Sequence, residues 1–85
     1  MAIEATHYQE AREAFKADPI IEDMAATVTL AKLVHYGDVH ADGSPTSNLM
    51  GMVWDEYLRR GGQLTGHIGA PAEALVMLLK EREGA

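Results

Sequence analysis

The stretch from Asp18 to Gly37, DPIIEDMAATVTLAKLVHYG, constrains the fold more than any other part of the chain. Asp18 followed by Pro19 is a helix start. The carboxylate can accept from amides of the first turn, and proline loses no hydrogen bond at the first helical position, where its fixed φ already suits the helix. Glu22 and Asp23 put negative charge near the positive end of the helix dipole, and Gly37 offers a left-handed C-terminal cap. The ~18 residues between them make a rod of ~27 Å at helical rise. Ile20, Met24, Val28, Ala31 and His35 trace one stripe, which Leu30, Leu33 and Val34 widen. From Met24 to Val34 only Thr27, Thr29 and Lys32 are polar, so the pattern predicts a helix apolar round most of its circumference, at the middle of a bundle or an oligomer. Thr27, Val28 and Thr29 are β-branched, which makes a buried strand the competing reading; length and caps decide for helix. The segment is too short, and too broken by Lys32, to span a membrane.

The flanking segments read as further helices. Thr6-x-x-Gln9 has the form of a capping box, after which Tyr8, Ala11 and Phe15 share one face. Glu10, Arg12, Glu13 and Lys16 line the other face, with Glu13 and Lys16 spaced to pair. GDVHADGSPTS, residues 37–47, carries the composition of a loop and is long for a helix-to-helix connection. A third helix follows to Arg60, with Met50, Val53, Trp54 and Tyr57 as its main stripe and Leu49 and Leu58 beside it. Gly51 weakens this helix, and its expected use is to let another backbone come close. Gly61-Gly62 stops it. In the connector QLTGHIGA, Leu64 and Ile68 are expected to pin the chain to the core. Pro71 opens a last helix whose buried stripe is Ala72, Leu75, Val76 and Leu79. The expected architecture is all-α, a single domain over 1–85. It is a small four-helix up-and-down bundle, with helices at about 6–17, 19–36, 46–60 and 71–83 and the second one central.

A chain of 85 residues buries about 60–65% of its unfolded surface, so a lone copy is marginal and self-association, as a homodimer, is expected. Hydrophobic residues make up 47% but aromatic ones only 6%, so the core is aliphatic, softened by five methionines. The net charge is −6 and unevenly spread: residues 1–58 hold ten acids and three bases, whereas residues 59–85 hold three acids and four bases. That acidity disfavours binding to a phosphate backbone. A helix-turn-helix would also need a shorter turn and a basic recognition face. The absence of cysteine removes disulfides, thiolate metal sites and a thiol nucleophile. MAIEATHYQE has neither the basic nor the apolar region of a secretory signal, so a cytoplasmic protein is expected.

Chemistry-bearing residues gather in the loop. His35, Asp38, His40 and Asp42 are of the types that ligate zinc, manganese or iron, although aspartates in such a segment also serve ordinary turns. DVHADG resembles the start of an EF-hand or dockerin calcium loop, with acids at the first and fifth positions and glycine at the sixth. His40 departs from that pattern at the third position and Leu49 at the twelfth, and the segment is not duplicated as a dockerin requires. Ser44, Ser47, His40 and Asp42 are hydrolase residue types, but they crowd one short loop without a nucleophile elbow or phosphate cradle. No catalytic activity and no cofactor are expected.

A protein interface fits the remaining features. Trp54, Tyr57, Met50 and Met52 lie on neighbouring faces of one helix beside Arg59 and Arg60, and Trp, Tyr, Met and Arg are enriched at interface centres. Glu10, Glu13, Glu22 and Asp23, with Asp55 and Glu56, would meet a basic surface on the partner. The size and charge resemble those of small phage and mobile-element proteins that block host defence systems, anti-CRISPR proteins among them. The expected function is therefore an acidic protein-binding module, an inhibitor or adaptor. The alternative is a small accessory subunit or metal-binding module using the His35–Asp42 loop.

Overall fold

The computed structural model describes residues 2–62 and 67–84, with side chains placed for 8–62 and 67–83. The described chain is all-helical. It runs through α1 (Ala2–Lys16), α2 (Pro19–Thr27), α3 (Leu30–His35), α4 (Ser47–Arg59) and α5 (Ala70–Gly84). The only extended pairing among the described residues is an isolated antiparallel bridge between Val39 and Pro45. The radius of gyration is 12.2 Å, close to the ~12 Å of a compact domain of this length.

Asp18 caps α2 as its sequence requires: its Oδ1 accepts from the Ile20 amide at 2.9 Å. The expected rod over 19–36, however, is two helices. Val28 is extended at φ −132°, ψ 165° and ends α2; Thr29 is extended at φ −124°, ψ 156° and begins α3. The β-branched run that competed with the helix is where it breaks. Branched side chains give up rotamer freedom in a helix, and a threonine gains more as an N-cap. Thr29 Oγ1 accepts from the Lys32 amide at 3.1 Å. Among the described residues, five helices therefore replace the expected four.

At the other end of the stretch Gly37 takes φ +74°, and Gly61 takes φ +92° after α4. The Asp38 amide reaches back to the Leu33 carbonyl and the Gly62 amide to that of Tyr57, both at 2.9 Å. These are the long hydrogen bonds of two Schellman caps.

The centre of the molecule is α5, not the 18–37 segment. α5 packs against each of the other four helices. From Ala70 to Leu79 only Glu73 is polar, and Ala70, Ala72 and Ala74 are completely enclosed, with Leu75, Val76 and Leu79 buried beside them. A helix apolar on several sides must be covered on several sides, and short side chains let neighbouring axes approach. In the 18–37 segment Ile21, Met24, Ala25 and Leu33 are buried, whereas Val34 is 56% exposed and Ala31 and His35 face solvent. Its amphipathicity is that of a flanking element.

α4 differs from expectation by about one residue of rotation. Its buried stripe is Leu49, Val53 and Tyr57, with Met50 partly covered; Leu58 and Met52 are exposed and Trp54 is half-buried. The i, i+4, i+8 line through Leu49 is the one that meets α5, because those three positions fall on one face. The Tyr57 ring stands edge-on to Phe15 at 5.2 Å, and its hydroxyl donates to Asp18 Oδ2 at 2.7 Å. A side chain at Gly51 would meet nothing within 4 Å, so the expected close backbone approach does not occur there.

α1 begins at Ala2, so Thr6 lies inside the helix and does not cap it. Ala and Glu are strong helix formers, and they carry the helix through the potential cap. Phe15 is buried and Tyr8 and Ala11 pack partly against the core. Leu64 lies outside the described residues, while Ile68 is 59% exposed and pins nothing.

Candidate functional site

Between α2 and α3 on one side and α4 on the other lies an open groove of about 370 Å³. Leu33, Leu49, Val53 and Leu75 supply its buried apolar floor. Met24, Thr27 and Val28 form the wall contributed by α2, so the break between α2 and α3 falls on the groove itself. Met52, 54% exposed, stands at the opposite rim with Glu56 and Arg60. Met52 Sδ is 3.5 Å from the Asn48 amide nitrogen, which also donates to Asp38 Oδ1 at 3.1 Å. Val34 and Tyr36, the latter 68% exposed, add unburied apolar surface at the end of α3.

The expected partner-binding residues divide into three groups. Glu10, Glu22, Asp23 and Asp55 are exposed, and among the described residues their carboxylates meet no cation closely enough to form an ion pair. Glu22 and Asp23 immediately precede the groove residue Met24, and Asp55 follows Met52 by three residues on the same α4 face. Glu13 is exposed but on α1, which lines no part of this groove; it lies 3.7 Å from Lys16. Lys16 is held more tightly by Glu81 at 2.5 Å, which raises the lysine pKa, with Glu13 adding a smaller effect in the same direction.

Glu56, Arg59 and Arg60 form a closed set. Glu56 Oε2 accepts from Arg60 Nε at 2.6 Å, and its other oxygen accepts from Arg59. One carboxylate thus faces two guanidiniums, and the set keeps a net charge of +1. Tyr57 is a correction. At 6% exposure, packed on Phe15 and bonded to Asp18, it belongs to the core and is closed to a partner. Trp54 is half-buried on α4 and does not line the groove.

The metal reading loses its geometry. Among the described residues no group of three or more His, Asp or Glu side chains converges as a metal ion would need. Asp38 is buried and turned to Asn48, while Asp42 Oδ1 accepts from the Ser44 amide at 3.0 Å and the Ser44 hydroxyl at 2.7 Å. Those bonds hold the Asp42 carboxyl below its ordinary pKa. The loop closes on itself: His40 donates to the Ser44 carbonyl at 2.8 Å, Gly43 to the His40 carbonyl at 2.9 Å, and Thr46 to the Asp38 carbonyl at 3.0 Å. His35 is exposed and its ring meets Tyr36 edge-on at 5.4 Å. The resemblance to a calcium loop ends in this turn, whose aspartates serve backbone and amide donors.

Sequence reasoning placed Met52 near an interface but missed the groove. Its wall depends on α2 ending at Thr27, and the β-branched run was the signal for that ending. Among the described residues, no helix is long and apolar enough to cross a membrane.

The chain is 42% identical over 83 residues to the Gene 80 protein of Mycobacterium phage L5, an alignment that covers 96% of this chain and 90% of that one. No family model matches the chain, and no solved structure matches it.

Proposed function

The chain belongs to the family of the Gene 80 protein of Mycobacterium phage L5, and from that premise and the surface described above we propose that it is a small protein-binding module, an inhibitor or adaptor that receives a basic amphipathic helix of its partner. The observation that carries this reading is the open apolar groove between α2/α3 and α4. An amphipathic helix in a groove is a recurring recognition mode, in which apolar anchors supply affinity. Charge complementarity selects the occupant. Asp23, four residues before Thr27, and Asp55, three after Met52, flank groove residues and form no ion pair among the described residues, and the whole chain carries −6, against one excess positive charge in the Glu56, Arg59 and Arg60 set. Lysines flanking the apolar stripe of an incoming helix would meet those acids, speed the encounter and reject acidic competitors. An anti-CRISPR role would be one member of this proposed class.

The test uses two defined peptides of equal length and apolar content, a Leu/Lys amphipathic helix and its Leu/Glu counterpart, titrated by calorimetry. The Leu/Lys peptide is expected to bind, with affinity falling as salt rises. Met52→Asp puts a charge on the rim at an already exposed site, and is expected to weaken binding at least tenfold while leaving the circular dichroism unchanged. Equal binding of both peptides, or no effect of Met52→Asp, would overturn the proposal. So would sedimentation showing that a second copy fills the groove and that Met52→Asp releases it.

A further inference from the structure

A second hollow, of about 210 Å³, shares no lining residue with the apolar groove. Arg12 from α1, the turn 42–45, and Glu73, Val76, Met77 and Lys80 from α5 line this open depression. Glu73 and Lys80 are seven residues apart on one helix, so the hollow runs for about 10 Å along α5. Arg12 and Glu73 occupy one end. At the other, the Lys80 ammonium rests over the bare Cα of Gly43: a Cβ there would lie 2.5 Å from Nζ, and Gly43 has φ +89°.

The charges in this hollow are unequally satisfied. Both carboxylates are engaged from within. Glu73 accepts from the Tyr8 hydroxyl on one oxygen and from Arg12 on the other, and Asp42 accepts twice from Ser44. Both cations are left wanting. Arg12 has one stretched contact, 3.4 Å to Glu73, and its Nε is buried with no hydrogen-bond partner. Lys80 forms no ion pair among the described residues. A buried donor without an acceptor calls for one, and an anionic acceptor bonds a guanidinium or ammonium more strongly than a neutral one does. Size narrows it further. The hollow equals the share of about seven waters at ~30 Å³ each and falls below the ~300 Å³ at which drug-sized pockets begin.

We propose that this hollow binds a small organic anion, its carboxylate or phosphate taken by Arg12 at one end, its short apolar body on Val76 and Met77, and Lys80 attracting it from the other end. The site is independent of the helix-binding groove.

The test titrates the intact chain, labelled with nitrogen-15, with benzoate, inorganic phosphate and benzamide, following the Arg12 Nε–H and the Gly43 and Ser44 amides. Benzoate is expected to shift all three saturably, phosphate to do so more weakly, and benzamide not at all. Arg12→Gln and Lys80→Gln are each expected to weaken benzoate at least tenfold. Lys80 is exposed, so its variant keeps the fold and decides the matter even where Arg12→Gln does not fold. Silence from both anions, an equal response to benzamide, or undiminished benzoate binding by Lys80→Gln overturns the site. Phosphate binding as tightly as benzoate overturns the apolar half of the assignment.

Discussion

Leu75→Ala is expected to lower the stability of the fold by about 2–5 kcal/mol, the cost of removing a buried leucine and leaving part of its space empty. Leu75 is 2% exposed on α5, and it also floors the apolar groove. Domains of this length have about 4–13 kcal/mol in total, so the variant loses a large share. A loss of ~3 kcal/mol lowers the melting temperature by about 12–24 °C in a domain of this size. The control is Val34→Ala. Val34 lies within the stretch that the sequence places at the centre, yet it is more than half exposed, and trimming it is expected to cost no more than ~0.5 kcal/mol. Urea midpoints of the two variants decide between the centres; equal losses would contradict the placement of α5.

Asp18→Ala is expected to cost about 2–3 kcal/mol, because one carboxylate serves two partners. Oδ1 caps α2 at the Ile20 amide, and Oδ2 accepts from the Tyr57 hydroxyl across 39 residues of chain. Loss of an N-cap costs ~1 kcal/mol. A hydrogen bond to a charged acceptor contributes about 1.5–3 kcal/mol, and the lower end applies because Asp18 is only half-buried. Tyr57→Phe removes the second partner alone. In that background Asp18→Ala should therefore cost only the cap, ~1 kcal/mol, and the difference is the coupling that a double-mutant cycle measures. Full additivity of the two changes would show that the link between the α2 start and α4 contributes nothing.

These expectations show where the sequence was readable. The punctuation was: Asp18-Pro19, Gly37 and Gly61 each mark a helix end, because one residue's geometry or donor count settles a cap. The loop over 37–46 was readable for the same reason, its Asp and Gly being turn residues first. The centre was not. Both the 18–37 stretch and α5 carry broad apolar patterns, and counting side chains favours the one with more leucine, isoleucine and valine. Burial in α5 instead falls heavily on Ala70, Ala72 and Ala74, residues that add little to a hydrophobic pattern but let four neighbours come close. The break at Val28-Thr29 was visible as a β-branched run, but its outcome depends on Thr29 capping a new helix and on Glu83 of α5 accepting from the Leu30 amide at 3.1 Å. That last contact spans 53 residues and has no local signal. The same holds for the candidate sites. Met52 stands out on α4 by itself, whereas the groove and the Arg12–Lys80 hollow arise only when distant segments meet.

Native-state hydrogen exchange of the whole chain tests the placement of α5 most directly. The amides from Ala74 to Leu79 are expected to exchange only through global unfolding, and those of α3 through local opening at much lower free energy. Amides across residues 20–35 exchanging as slowly as those of α5 would contradict it, and with it the open groove that the break at Val28-Thr29 creates.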